Sequence, residues 1–118
     1  MGVTGIGGVF FRAQDPDALR AWYRTHLGIV PEGWDPWQQQ AGPTVFMPFK
    51  ASSDYWDGAK QWMLNLRVDD LDTMLAELKA KGVDAHTNAA WDSPETGRFA
   101  RIHDPEGNPI ELWQPPAQ

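Results

Sequence analysis

The chain has 118 residues, a formal net charge of -6 and 42% hydrophobic residues, enough for one domain with its own core. It contains no cysteine, which excludes disulfides, thiolate metal sites and thiol nucleophiles and leaves the redox compartment open. The acidic balance argues against a nucleic-acid partner, and no apolar run reaches membrane-spanning length or follows a basic N-terminus, so a cytoplasmic protein with no membrane partner is expected.

Residues 8–13 alternate as a strand, with Gly8, Phe10 and Arg12 on one side, and lead to Asp15, a residue able to cap a helix. Pro16 suits the first helical position; Leu19, Trp22, Tyr23 and Leu27 mark one face, and Gly28 stops it. Shorter strand patterns follow at 29–34, 37–40 and 44–49, and residues 50–60 read as a loop rich in turn formers. The plan then repeats. Met63, Asn65 and Arg67 alternate with Leu64, Leu66 and Val68, and arginine stands at the same step as before. Asp70 follows as the second cap, and Leu71, Met74, Leu75 and Leu78 mark a helix face ending at Gly82. Strand patterns close the chain at 83–89, 99–103 and 109–113.

The expected fold is therefore α+β: strand, helix and three strands, twice. Module one covers about 5–50, a linker 51–61 and module two 62–114. Pairing the two units would place the helices on the outer face and leave a curved, cup-like inner face.

The stretch from Arg98 to Trp113 is the most specific part of the chain. Pro105 presets a turn, Gly107 can take positive φ, and Ile102, Ile110 and Leu112 give an apolar face. A three-residue loop with Gly107 as a bulge sets Arg101 opposite Glu111, Phe99 opposite Trp113, Ile102 opposite Ile110 and Ala100 opposite Leu112. This register agrees with the hydrophobic pattern, whereas a four-residue loop breaks it. Glu111, a carboxylate in mid-strand, is then either solvent-facing or a working group in a cavity.

With the repeated Asp-capped helices, the Leu27-Gly28 ending and the run Asp104-Pro105-Glu106-Gly107-Asn108-Pro109-Ile110-Glu111-Leu112, the chain resembles the vicinal oxygen chelate superfamily. That superfamily includes glyoxalase I, bleomycin and fosfomycin resistance proteins and extradiol dioxygenases. The resemblance implies paired βαβββ modules forming a cup, commonly in a homodimer. In metal-dependent members a divalent cation is bound by His, Gln or Glu from inward-facing strand positions. Carried onto this sequence, the final carboxylate is Glu111, the first-strand positions are Gly8 and Met63, and a further position lies near Phe46 or Met47. Glycine offers no side chain and a thioether suits soft metals, so the resemblance implies a degenerate site and no metal cofactor.

The inner face is expected to combine Phe10, Met63, Phe99 and Trp113 with Arg12, Asn65, Arg67, Arg101 and Glu111. Apolar walls with a few converging polar groups describe a small-molecule pocket, and the arginines favour an anionic or carbonyl-containing ligand. Arg101 and Glu111 also read as a plain cross-strand ion pair, and Arg12 and Arg67 as partners of helix or loop carbonyls. Of the histidines, His26 lies near a helix end, His86 on a peripheral strand, and His103 near the pocket, where it anchors the turn or pairs with Glu111 at a metal. Trp34, Trp37, Trp56, Trp62 and Trp91 fall in loops or strand edges, at the cup's mouth, an interface or the core. The leading expectation is a glyoxalase-like small-molecule-binding protein, with Glu111 as acid or base if it is a metal-independent lyase or isomerase. The alternatives are a metal-dependent lyase, isomerase or dioxygenase with non-standard ligands, and a drug-sequestering resistance-type protein.

Overall fold

Two aspartates start the two helices of the chain. The Asp15 carboxylate accepts the backbone N–H of Ala18 at 3.1 Å, and Asp70 accepts that of Thr73 at 3.1 Å. Each satisfies a donor that a helix N-terminus otherwise leaves free. The resulting helices are α1 (Pro16–Leu27) and α2 (Leu71–Ala80) in a computed structural model that describes residues 2–33 and 35–117. α1 ends at Gly28, whose φ of 69° is left-handed, and Gly82, at φ 81°, stands just past α2. Both stops match the sequence.

Three strands complete the regular structure: β1 (Leu64–Arg67), β2 (Arg98–His103) and β3 (Pro109–Gln114). They form one sheet in the order β1-β3-β2, with β3 parallel to β1 and antiparallel to β2. The β2–β3 register pairs Ile102 with Ile110, Arg101 with Glu111, Ala100 with Leu112 and Phe99 with Trp113. The loop is the bulged one: Asp104 and Asn108 close it, and Gly107 takes φ 79°.

Ile110 and Leu112 of β3 and Ala100 and Ile102 of β2 pack against Leu19 and Tyr23 of α1 and Leu71 and Leu78 of α2. Leu71, Leu78, Ile102, Ile110 and Leu112 are fully buried. At about 1.5–3 kcal/mol for each large aliphatic side chain removed from water, this cluster is the main source of stability. Both helices thus cover one face of the sheet.

The turn also holds α1 in place. The Asp104 carboxylate, 5% exposed, accepts the Tyr23 hydroxyl at 2.7 Å and the Asn108 side-chain amide at 2.8 Å. It takes the backbone N–H groups of Glu106 and Asn108 as well. Glu106 reaches the chain before α1, accepting from the backbone of Gln14 and Asp15. Burial and the Asp104 carboxylate raise the Tyr23 hydroxyl well above the usual phenol range, so it remains a donor. Asp104 is therefore the anchor of the turn, in the role read for His103, whose side chain is exposed.

The first half differs from expectation. No strand forms at 8–13, 37–40 or 44–49, nor over the described part of 29–34; Trp34 lies outside the described residues. Val30 has φ 62°, which no strand accommodates. Phe10 is 94% exposed, Phe46 76% and Val45 67%, so these side chains of 8–13 and 44–49 meet no cover, whereas Ile29 and Val30 pack on the core without forming a strand. The radius of gyration, 14.8 Å, exceeds the roughly 13.5 Å of a compact chain of this length. The expected strand at 83–89 reduces to one bridged pair, His86 with Arg101. Beyond it Asn88 caps a 3-10 turn at Ala89–Trp91, accepting from Ala90 N–H, and the chain leaves the sheet edge. Among the described residues no helix is long and apolar enough to cross a membrane.

Candidate functional site

The sheet face away from the helices carries two rows of side chains set by the register. Asn65, Glu111 and Arg101 form one, and Arg67, Trp113 and Phe99 the next. Glu111 and Arg101 are each only 7% exposed although no helix covers them. Their cover is Tyr55, from the loop between the halves, and Trp91, from the 3-10 turn. Burying charged groups without partners is costly, so the bonds made here decide what the site can do.

Glu111 accepts from two side chains: the Tyr55 hydroxyl at one carboxylate oxygen and the Asn65 amide, at 2.7 Å, at the other. Arg101 donates through Nη1 to the Tyr55 backbone carbonyl at 3.0 Å. Its guanidinium carbon lies 4.9 Å from the centre of the Tyr55 ring and 5.6 Å from that of Trp91, both cation–π distances. Nε and Nη2 of Arg101 are buried without a hydrogen-bond partner. Burial first, and then the bond to Glu111 and its charge, push the Tyr55 hydroxyl up to about 12, against the opposing effect of Arg101. Tyr55 is therefore a neutral donor near pH 7. On the same strand as Arg101, partial loss of solvent and then repulsion from the neighbouring Arg101 and His86 side chains hold His103 below its ordinary value.

In the next row the Phe99 and Trp113 rings lie parallel, 6.3 Å apart at an interplanar angle of 6°. Trp113 Nε1 donates to the Thr96 carbonyl at 2.8 Å, which fixes the indole. Arg67 donates to the Gln40 carbonyl at 3.0 Å, the loop-carbonyl role read as one of its alternatives.

A family model for the glyoxalase-like domain matches residues 8–113. The chain belongs to this family. With it comes membership of the vicinal oxygen chelate superfamily. The crystal structure of TnmS3, an antibiotic binding protein from Streptomyces sp. CB03234, is similar at a TM-score of 0.58 and 24% identity, covering 98% of each chain. A member of the glyoxalase/bleomycin resistance protein/dioxygenase superfamily from Sphaerobacter thermophilus DSM 20745 is similar at a TM-score of 0.61 and 16% identity, over 97% of this chain and 99% of that one. These likenesses are likenesses of fold. No curated protein sequence matches the chain.

The donor set of this glyoxalase-like domain does not fit a divalent cation. Both oxygens of Glu111 are engaged by neutral donors, the neighbouring charge is the Arg101 guanidinium, and Gly8 and Met63 supply no hard ligand. Among the described residues no group of three histidines, aspartates or glutamates is placed to hold a metal ion.

Of the residues read from sequence, Asn65, Arg101 and Glu111 come together, with Phe99, Trp113 and Arg67 in the adjoining row. Met63 stands just before β1, half-buried. Phe10 is exposed in the unpaired first segment, and Arg12 lines a cleft of about 560 Å³ beside the hairpin turn with Lys60, Glu106 and Asn108. A second cleft, about 320 Å³, lies between Trp22, His86 and His103. Both clefts are polar surface hollows away from Glu111, and the aromatic-walled corner at Arg101 carries the stronger chemistry. The ion pair read as one alternative for Arg101 and Glu111 is not formed; Arg98 pairs instead with Asp72 at 2.8 Å, at the surface. Tyr55 was missed because residues 50–60 read as a linker. The signal for it was an aromatic pair, Tyr55-Trp56, inside an otherwise polar loop.

Proposed function

We propose that this glyoxalase-like domain binds a small molecule at the sheet face built by Asn65, Glu111, Arg101, Phe99 and Trp113, without a resident metal. The observation that carries the reading is Arg101, a guanidinium 7% exposed whose Nε and Nη2 have no partner. Buried arginine donors are normally satisfied, and their bidentate edge suits a carbonyl or anionic group. Flat aromatic walls beside a few fixed polar groups are the usual make-up of a ligand site. The engaged oxygens of Glu111 favour binding over proton transfer, since a general base needs a lone pair facing its substrate. The fold also hosts TnmS3, an antibiotic binding protein, so binding a small molecule is a use the fold supports.

The finer architecture belongs to the same proposal. The alternating segments 8–13 and 44–49 pair with sheet edges to complete a second module and close a cup, in a homodimer. Their exposed apolar side chains, Val9, Phe10, Phe46 and Met47, support this. Sizing with light scattering is expected to give a dimer, and a monomer at high concentration contradicts it.

A fragment screen followed by NMR tests the site. Binders are expected to shift backbone signals of Asn65, Arg101, Glu111 and Trp113. Shifts confined to the Arg12–Lys60 cleft contradict the assignment.

A further inference from the structure

Tyr55 fills the corner between Glu111 and Arg101 with three kinds of contact at once. Its hydroxyl donates to Glu111, its backbone carbonyl accepts from Arg101 at 3.0 Å, and its ring lies under the guanidinium. Phe49 stacks on that ring at 5.7 Å and 19°, and Trp91 meets it edge-on at 5.9 Å. A hydroxyl donor, a carbonyl acceptor and a flat ring are thus presented to the sheet by a residue of the connecting loop. The match is incomplete, because Nε and Nη2 of Arg101 stay buried and unmet under the rings.

Within the loop Tyr55 is fixed only locally, by its N–H on Ser53 Oγ at 3.3 Å and by the Trp56 ring edge-on at 6.5 Å. Residues 49–60 contain no helix or strand, and their bonds are mostly internal turns: Ser53 N–H to the Lys50 carbonyl, Lys60 N–H to Asp57, and Trp56 Nε1 to the Lys60 carbonyl. Lys60 Nζ reaches the Glu106 carbonyl at 3.3 Å and ties down the far end. None of these turns uses the hydroxyl, carbonyl or ring of Tyr55.

We propose that Tyr55 is a built-in stand-in for the ligand, and that the ligand is a neutral aromatic ring bearing a phenolic or enolic hydroxyl and a carbonyl group. This rests on the reading that the Arg101–Glu111 face is a small-molecule site. On binding, the ligand ring takes the place of the Tyr55 ring, its hydroxyl donates to Glu111, and its carbonyl accepts from Nε and Nη2 of Arg101. Neutrality follows from charge. Arg101 and Glu111 stand opposite each other in the β2–β3 register and already balance, so a ligand carboxylate would bring a second negative charge beside Glu111. The gain over the closed state is the pairing of the two arginine donors that Tyr55 leaves unmet.

Titrating the full chain with para-hydroxyacetophenone, acetophenone and para-hydroxybenzoate, followed by NMR, tests the inference. Para-hydroxyacetophenone is expected to bind at Arg101, about ten-fold tighter than acetophenone, the worth of one hydrogen bond near 1.4 kcal/mol. Tyr55→Ala is expected to tighten it about ten-fold by removing the competitor. Tyr55→Phe, which keeps the ring and its packing, is expected to give a smaller gain in the same direction, and serves if the alanine variant does not fold. Glu111→Gln, which leaves a weaker, neutral acceptor, is expected to shrink the preference for the hydroxyketone. Weaker binding in both Tyr55 variants, or equal binding of the two ketones, overturns the inference. Preference for para-hydroxybenzoate overturns the ligand class and leaves the site standing. Silence from all three probes overturns the inference too, and the site reading falls with it only if the fragment screen is also silent at that face.

Discussion

Residues 64–67 find β3 beside them and become a strand, while residues 8–13, with the same alternation, the same arginine step and an aspartate after them, find no neighbour and stay open. The two helices show no such difference: α1 and α2 both form, each from its own aspartate cap and apolar stripe. A helix satisfies its backbone locally, so a repeat of its signals yields a repeat of the element. A strand is completed only by a partner, and the first half has none within the described chain.

Core truncation separates the halves most sharply. Ile110→Ala removes a fully buried side chain of the core cluster and is expected to cost about 2–5 kcal/mol in denaturant unfolding. Phe46→Ala, at a site 76% exposed, is expected to stay within about 0.5 kcal/mol when the chain is monomeric. A large loss for Phe46→Ala at dilutions where the protein is monomeric would show that the first half packs more tightly than its exposure allows.

A smaller effect tests how α1, the one regular element of the first half, is held. Asp104→Ala removes the acceptor of the Tyr23 hydroxyl and of both turn N–H groups, with an expected loss of about 1–3 kcal/mol. Hydrogen exchange is expected to quicken in α1 more than in α2. Asp70→Ala, removing only the cap of α2, is expected to cost less than Asp104→Ala and to leave α1 protected.

The smallest effect lies in the tyrosine titration. The Tyr55 hydroxyl, raised from 10.0 to about 12, contributes stability that is whole below pH 10 and is lost as pH climbs toward 12. An ultraviolet titration is expected to show neither tyrosine ionising at its ordinary pH, with Tyr23 the later of the two. In Glu111→Gln, which removes the carboxylate's charge and weakens its bond, Tyr55 is expected to ionise earlier. An unchanged Tyr55 titration would show that Glu111 does not hold the loop.

Helix limits, the bulged turn and the β2–β3 register were legible because each is written in nearby residues: Asp15 with Pro16, Asp70 with Leu71, Pro105 with Gly107. The row of Asn65, Glu111 and Arg101 followed from alternation once that register was set. What closes over the row was not legible. Tyr55 reaches Glu111 across 56 positions of sequence from a segment without periodicity; the Tyr55-Trp56 pair marks an aromatic anchor but does not name its partner. The first-half segments stand unpaired in the single chain for the converse reason: alternation states that a strand has two faces, not that a neighbour is present.

The most direct test of the central claim is the Arg101 Nε–H signal in NMR spectra of the full chain, with and without para-hydroxyacetophenone. In the free protein this N–H is buried and unbonded. If Tyr55 stands in for the ligand, the probe moves it to a hydrogen-bonded position while the Tyr55 ring signals move toward those of a solvent-exposed tyrosine. An Arg101 signal that stays in place while the probe perturbs Arg12 and Lys60 would contradict that role.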